Sequence, residues 1–378
     1  VAAPPLSEPR LFSSFALRGL TLRNRAVLSP MCQYQAVEGR MQDWHFAHHA
    51  RFASGGWAAA FVEATGVTRD GRITHGCTGI WDDGQIAGLK RVADLYRSCG
   101  TAPGIQIGHS GRRGSALRPW DGASPIKDKT GPEPAWQTVA PSAIPEREGY
   151  PSPRELAVGE IEDLVDAFAR AARRALAAGF DIAEIHGAHG YLIHSFFSPV
   201  SNRRTDAFGG SREKRMRFPL LVADAVRKVW PADKPVFYRA SVVDNVDGGL
   251  TVEDTVALAR ALRDRGIDLL DCSAGGMSGP ATLSTNKIRP GYQVPLAAAV
   301  RRDAAMPTMA VGAILEPRQA EDILRAGDAD LIAIGRQAMA EPHWPYRAAL
   351  ELGIANPHAL LHKQYAFYLE RRAAVLEP

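Results

Sequence analysis

Eight short apolar runs punctuate the chain, and most give way at once to glycine or a polar residue. They are RAVLSP from Arg25, AAFVEA from Ala59, PGIQIG from Pro103, FDIAEIHG from Phe180, PVFYRAS from Pro235, IDLLDCS from Ile267, PTMAVG from Pro307 and ADLIAIGR from Ala329. Nearly continuous apolar strands of this length suit a sheet buried on both faces, which means parallel pairing. Helical patterns lie between them. From Glu160 to Ala178, Ile161, Leu164, Val165, Phe168, Ala172 and Leu176 recur at spacings of three and four. The stretch from Thr251 to Arg265 opens with TVED, a capping-box-like start, and stops before Gly266.

Eight strand-helix alternations predict a (β/α)8 TIM barrel rather than an open doubly wound sheet. No GxGxxG follows the first run, which also argues against a dinucleotide-binding sheet. Residues 109–153 are too long for an ordinary connection and rich in Pro, Gly and Trp, so they predict an excursion capping the barrel mouth, with a small hairpin. No linker divides the sequence, and residues 1–378 read as one barrel domain.

Composition narrows the chemistry. The 378 residues are 46% hydrophobic, enough for a large core, and 45 Lys+Arg against 41 Asp+Glu leave a net charge of only +4. The basic residues are scattered, so neither nucleic acid nor a membrane surface is the expected partner. Cys32, Cys77, Cys99 and Cys272 form no CxxC pair and encode neither a zinc ribbon nor an iron-sulfur cluster. The opening VAAPPLSEPRLF lacks a signal-peptide layout, and no apolar run approaches the ~20 residues needed to span a bilayer. A cytoplasmic, reduced protein acting on small molecules is expected.

In TIM barrels chemistry sits at the C-terminal ends of the strands. Those ends carry Ser29-Pro30-Met31-Cys32-Gln33-Tyr34, Glu63-Ala64-Thr65, Gln106, His186 with His189 and Tyr191, Arg239, Ser273, Gly312, and Gly335-Arg336. Glycines after the last two strands let backbone N–H groups approach a phosphate, with Arg336 able to pair with it. Gln106 and Arg239 suit the donor and acceptor edge of an isoalloxazine, and a fixed positive charge there favours its reduced, anionic form. The run IHGAHGY from Ile185 admits three roles at first: half a metal site, an acid-base pair, or a clamp for negative charge. A zinc site would want a third ligand and commonly HxxxH on a helix, which this strand end does not supply.

The run SPVSNRRTDAFGGSREKRMRF from Ser198, with LSPMCQY at Leu28, HGAHGYL at His186 and IGR at Ile334, resembles the old yellow enzyme family of FMN-dependent ene-reductases over essentially the whole chain. Cys32 with Tyr34, and the His186/His189 pair, resemble its bacterial subgroup of xenobiotic reductases and thermophilic relatives; many other members carry Thr and Asn where Cys32 and His189 stand. The resemblance implies that Ser29, Pro30, Met31, Cys32, Ala64, Gln106 and Arg239 surround the flavin of FMN, and that Gly312, Gly335 and Arg336 hold its phosphate. It implies that Tyr34, His186, His189 and Tyr191 face the substrate. NADPH or NADH would reduce the flavin and leave. An activated alkene (an enone, enal, maleimide or, further afield, a nitro compound) would then take a hydride from flavin N5 and a proton from Tyr191, while both histidines hold its carbonyl oxygen.

Cys32 is expected to tune the flavin rather than act as a nucleophile, and no metal is expected. His194 is read as structural, and His45, His48 and His49 as solvated or packed in a helix. Arg112 and Arg113 read equally well as surface or as substrate-facing residues, and Trp120 and Tyr292 as rim residues. Members of the subgroup place C-terminal residues in a neighbouring subunit's site. QYAFYLERR from Gln364 offers Tyr368, Arg371 and Arg372 for this, and a homodimer or homotetramer is implied. Two rivals stand beside this reading. A 2-hydroxy-acid oxidase or dihydroorotate dehydrogenase barrel would share the phosphate end without HGAHGY, and a non-catalytic flavin carrier would not need Tyr191 together with the histidines.

Overall fold

The computed structural model describes residues 8–278 and 288–375, so most of the stretch VAAPPLSEPRLF, and with it the reading for a leader, lies outside the described residues. Eight parallel strands close into a barrel: β1 Ala26–Leu28, β2 Ala59–Gly66, β3 Ala102–Gly108, β4 Ile182–Gly187, β5 Val236–Ser241, β6 Leu269–Ser273, β7 Thr308–Val311 and β8 Leu331–Ile334. Six fall inside the apolar runs; β2 runs two residues past AAFVEA and β3 begins one residue before PGIQIG. Consecutive strands pair in sequence order, and β8 pairs β1 to complete the ring.

The outer helices are α1 Asp43–Ala53, α2 Ile86–Ser98, α3 Val158–Ala177, α4 Arg212–Val229, α5 Val252–Arg263, α6 Val294–Ala304, α7 Pro317–Ala326 and α8 Trp344–Glu351. In α3, Ile161, Leu164, Phe168 and Ala172 are buried as the periodicity predicts, whereas Val165 and Leu176 are only half-buried. Ala167, Ala171 and Ala175 fill the rest of that face and let the helix lie close to the strands. Thr251 caps α5 by accepting from the Asp254 N–H, and Asp254 reciprocates, so TVED is a capping box.

Period-two alternation splits the strands between two cores. Outward residues such as Ile105, Ile185, Tyr238 and Leu270 pack against the helices. Inward residues Val27, Phe61, Ile182, Phe237, Leu269, Met309 and Leu331 fill the barrel floor together with Leu17 and Leu22. Those two leucines belong to an antiparallel hairpin, Phe15–Leu17 with Leu20–Leu22, which plugs the N-terminal end and which the apolar pattern does not reveal.

The excursion carries a small antiparallel turn, with Ala116 bridged to Pro125 and the Leu117 N–H donating to Ser124 O at 2.8 Å, and also a parallel pair that was not expected, Val139–Ala140 with Arg154–Glu155. Its fastening comes from the run that most resembles the old yellow enzyme signature. Arg204 donates to Pro141 O at 3.0 Å and Leu156 O at 2.6 Å, on either side of the excursion's outer part, and is itself held by Asp206 at 2.6 Å. Asn202 Nδ2 bridges Phe196 O and Phe208 O, both at 2.7 Å. Asn202 to Asp206 of the signature therefore act as a clamp for the cap. Among the described residues no helix is long and apolar enough to cross a membrane.

Candidate active site

The strand ends converge as expected. Ser29 follows β1, its N–H donating to Ile334 O at 3.0 Å, and this places it beside Gly335. Pro30, Met31 and Cys32 continue into a half-buried loop ending at Tyr34, whose φ is +54°. Ala64 lies in β2, Gln106 in β3 and Arg239 in β5; Gly312 follows β7, and Gly335 and Arg336 open a short helix after β8. The proposed cofactor residues thus share one rim.

His186 ends β4, and the turn behind it brings three rings together. His186 lies 5.1 Å from His189 and 4.9 Å from Tyr191 between ring centroids, each pair edge-on. His186 Nδ1 accepts from the Ala188 N–H at 3.3 Å, so its proton resides on Nε2. His189 sits at φ +61°, held by its own N–H to Ser241 Oγ at 3.0 Å, and its Nε2 meets Ser273 Oγ at 2.7 Å, leaving Nδ1 for a ligand. Burial pushes both imidazoles well below the ordinary histidine value, and the positive charge of Arg239 pushes the same way, so both are neutral near pH 7. Burial raises the phenols of Tyr191 and Tyr34, which keep their protons. The Cys32 thiol is likewise raised by burial and stays protonated, in line with its reading as no nucleophile.

His194 is structural. Its Nδ1 accepts from the Gly190 N–H at 2.8 Å and its Nε2 meets Asp244 Oδ1 at 2.7 Å. Asp244 also accepts from Ser198 Oγ at 2.6 Å and the Leu250 N–H at 2.8 Å. Burial opposes its charge, but the bonds from His194, Ser198 and Leu250 outweigh that and hold the carboxyl below its usual range. This knot fixes the turn that presents Tyr191. Replacing Asp244 by Asn should cost about 2–4 kcal/mol, because buried donors lose an ionised acceptor; urea unfolding at neutral pH measures it, and an unchanged midpoint would refute it.

Arg112 corrects the surface reading. It is buried and donates to Met277 O at 2.8 Å and Pro145 O at 3.1 Å, tying the cap to the loop after β6. Arg113 reaches Gly276 O at 2.6 Å and Glu146 at 3.2 Å, and its guanidinium lies 6.0 Å from the Tyr191 ring centre. His45, His48 and His49 are all buried in α1, so the solvated alternative falls away. His49 Nδ1 meets Tyr96 Oη at 2.7 Å and His45 faces Glu63 at 3.7 Å. Trp120 and Tyr292 are exposed, and Trp120 sets its edge against Tyr34 at 5.8 Å. A cavity of about 1180 Å³ under the cap is lined by Tyr34, His189 and Tyr191 on the barrel side and by Arg113, Glu146 and Tyr150 on the cap side.

Two rim glycines differ. Gly312 adopts φ +116°, a conformation that requires glycine. Gly335 has φ −108°, and a methyl carbon built on it would meet Met31 Sδ at 3.6 Å and Ser29 Cβ at 3.7 Å, ordinary contacts. Packing among the described residues does not demand glycine at 335. A polar atom at the same end also lacks a partner among the described residues: Ser29 Oγ is buried without a hydrogen bond. Sequence reasoning missed two residues of this neighbourhood, Glu184 and Asp271. Their inward positions on β4 and β6 could have been found from the alternation alone.

Residues 10–353 match the NADH:flavin oxidoreductase / NADH oxidase family. A curated relative from Geobacillus thermodenitrificans, "NADPH dehydrogenase", is 46% identical over 346 residues, covering 91% of this chain and 95% of its own length. Another of that name from Halalkalibacterium halodurans is 42% identical over 348 residues, 92% of this chain and 96% of the relative. Among solved structures, morphinone reductase superposes with a TM-score of 0.76 at 28% identity, over 92% of this chain and 91% of that one. A 2-naphthoyl-CoA reductase complex reaches 0.81 at 25% identity over 93% of this chain, which spans about half (53%) of that longer chain. The chain belongs to the NADH:flavin oxidoreductase / NADH oxidase family, that of the old yellow enzymes, and is an FMN-dependent oxidoreductase that draws its electrons from NADPH or NADH.

Proposed function

We propose that the protein is an ene-reductase, which takes a hydride from NADPH or NADH and passes it to the activated C=C bond of an enone, enal or maleimide in a ping-pong cycle. The observation that carries this reading is the convergence of two neutral imidazoles and a protonated phenol: His189 and Tyr191 line the cavity under the cap, and His186 stands edge-on against both. Such a set offers hydrogen bonds to a carbonyl oxygen that gains negative charge, and a proton beside it. His189 Nε2 and Ser273 Oγ lie 2.7 Å apart, and with the hydroxyl turned to Nε2 that ring's proton sits on Nδ1, where it meets the oxygen; His186 offers Nε2–H. Tyr191 hands its proton to the α-carbon. Tyr34 and the cap from 109 to 153 shape the entry. Turnover of NADPH with 2-cyclohexenone tests the whole reading. A flavin carrier would show none, and a hydroxy-acid oxidase would consume a 2-hydroxy acid instead.

FMN fits these residues. Gly335, where packing among the described residues does not exclude a side chain, suits a phosphate pressed against the backbone with Arg336 beside it, Gly312 supplying backbone from β7. When bound, the flavin supplies the hydride-accepting ring. Ser29, Pro30, Met31, Cys32 and Ala64 would line it, with Gln106 and Arg239 at its pyrimidine edge. Arg239→Ala should weaken FMN binding by about ten- to a hundredfold, the worth of one charge-assisted hydrogen bond, and lower the flavin potential; fluorescence titration of the apoprotein reads the first. Unchanged affinity and potential would remove Arg239 from the flavin.

A homodimer or homotetramer in the cytoplasm completes the reading. The last helix, Lys363–Val375, buries none of its residues and leaves Tyr365, Phe367 and Tyr368 exposed at 52%, 49% and 71%. An aromatic face of this kind suits a neighbouring copy. Arg371 already stacks on Phe367 at 4.7 Å. A monomer by light scattering at micromolar concentration would refute the shared contact.

A further inference from the structure

Between the apolar floor of the barrel and the histidines at its mouth lies one polar layer. Gln106 of β3, Glu184 of β4, Arg239 of β5 and Asp271 of β6 all point inward. Gln106 stands in register with Glu184 and Asp271 with Arg239. Gln106 Nε2 donates to Glu184 Oε1 at 2.7 Å, and Arg239 Nε lies 3.1 Å from Asp271 Oδ2. Glu184 and Asp271 are fully buried. Among the described residues Glu184 Oε2 has no hydrogen-bond partner, and the Asp271 oxygens have none beyond the ion pair with Arg239.

The charges do not balance if every group is ionised: two carboxylates share one guanidinium. Among the described residues no other cation reaches Glu184. His186, next inward on its own strand, is neutral, and Glu63 of β2 is turned to His45. Below, the inward side chains Phe61, Ile182, Phe237 and Leu269 are apolar. An unpaired buried carboxylate in such a place takes a proton rather than bear the desolvation cost. We propose that Glu184 is the proton-holding residue of the flavin site: neutral at physiological pH, it lets the Asp271-held Arg239 face the flavin without a competing negative charge. Asp271 is the positioning residue for the guanidinium. Burial, and after it the charge of Asp271, push the Glu184 carboxyl up to about 8, whereas Arg239 and the Gln106 bond work the other way.

The inference rests on Arg239 lying at the flavin, and it has a consequence for redox chemistry. Reduction delivers one hydride, two electrons and a proton, and leaves a net negative charge on the ring system. Below about pH 8 Glu184 already holds its proton and takes up none. Above it, the carboxylate recovers a proton from solvent as the flavin is reduced, so two protons accompany two electrons instead of one.

The midpoint potential of the FMN-loaded protein, measured from pH 6 to 10, should therefore fall with a slope that about doubles on the alkaline side. Glu184→Gln should keep a single slope throughout. Asp271→Asn removes the charge that raises Glu184 and should move the break to lower pH. Infrared spectra of the flavin-free protein give a second readout: a protonated carboxyl band at pH 7 that disappears in Glu184→Gln. A wild-type slope identical to that of Glu184→Gln, or a flavin-free protein without that band, overturns the proposal. Failure of the underlying placement of Arg239 is read separately, by an FMN affinity and potential that Arg239→Ala leaves unchanged.

Discussion

Tyr191→Phe is expected to slow reoxidation of the reduced flavin by an enone by ~10²–10⁴-fold, the usual worth of a positioned general acid, while reduction by NADPH proceeds at the wild-type rate. The ring stays in place after the change, since its neighbours His186 at 4.9 Å and Arg113 at 6.0 Å touch its faces and edges rather than requiring its hydroxyl. Only the proton is lost. Anaerobic stopped-flow measurement of the two half-reactions separates them, and equal losses in both, or the reverse pattern, would sink the assignment. The pH dependence follows from the same environment. Burial moves the phenol upward from its ordinary value, so its protonated form persists above neutrality. Burial moves both imidazoles downward, so their neutral forms persist below it. The oxidative half-reaction should therefore be flat over roughly pH 6 to 9.

Removing both imidazoles, as His186→Ala with His189→Ala, should weaken phenol binding by about 10²–10⁴-fold. A phenolate presents the same anionic oxygen as the proposed enolate-like intermediate, and each lost hydrogen bond to a charged acceptor is worth about 1.5–3 kcal/mol. The charge-transfer absorbance of phenol over the flavin measures this. His189→Asn should retain most of the affinity, because an amide keeps a neutral N–H near the same place. Ser273→Ala should lose part of it without touching the ligand, since Ser273 Oγ, at 2.7 Å from His189 Nε2, fixes which ring nitrogen carries the proton. Phenol affinity unchanged in the double variant would remove the histidines from the oxygen clamp.

Which parts of this were readable in the chain follows from what local physics encodes. A strand buried on both faces must be apolar along its length, so each of the eight barrel strands announced itself. A capping box must carry its two partners three residues apart, so TVED did too. The polar residues closing each strand could be placed on the rim because a parallel barrel puts every strand's C-terminal end on one side. The N-terminal hairpin was not readable, for Phe15–Leu17 and Leu20–Leu22 are three-residue strands whose apolar face is defined only by the barrel floor they plug. The parallel pairing of Val139–Ala140 with Arg154–Glu155 joins segments of two residues each, too short for any periodicity.

The sequence alone determined the barrel and which polar groups stand at its rim, because strand order and side-chain alternation convert linear position into place. Tertiary structure alone decided their states. Arg112 became a buried tie because Met277 and Pro145 carbonyls surround it. His194 became a strut because Asp244, fifty positions away in the chain, accepts a hydrogen bond from its Nε2–H. Glu184 and Asp271 acquired meaning only when neighbouring strands set two fully buried carboxylates against one guanidinium. Protonation and hydrogen bonding depend on what lies across the barrel, and residue order along the chain does not carry that distance.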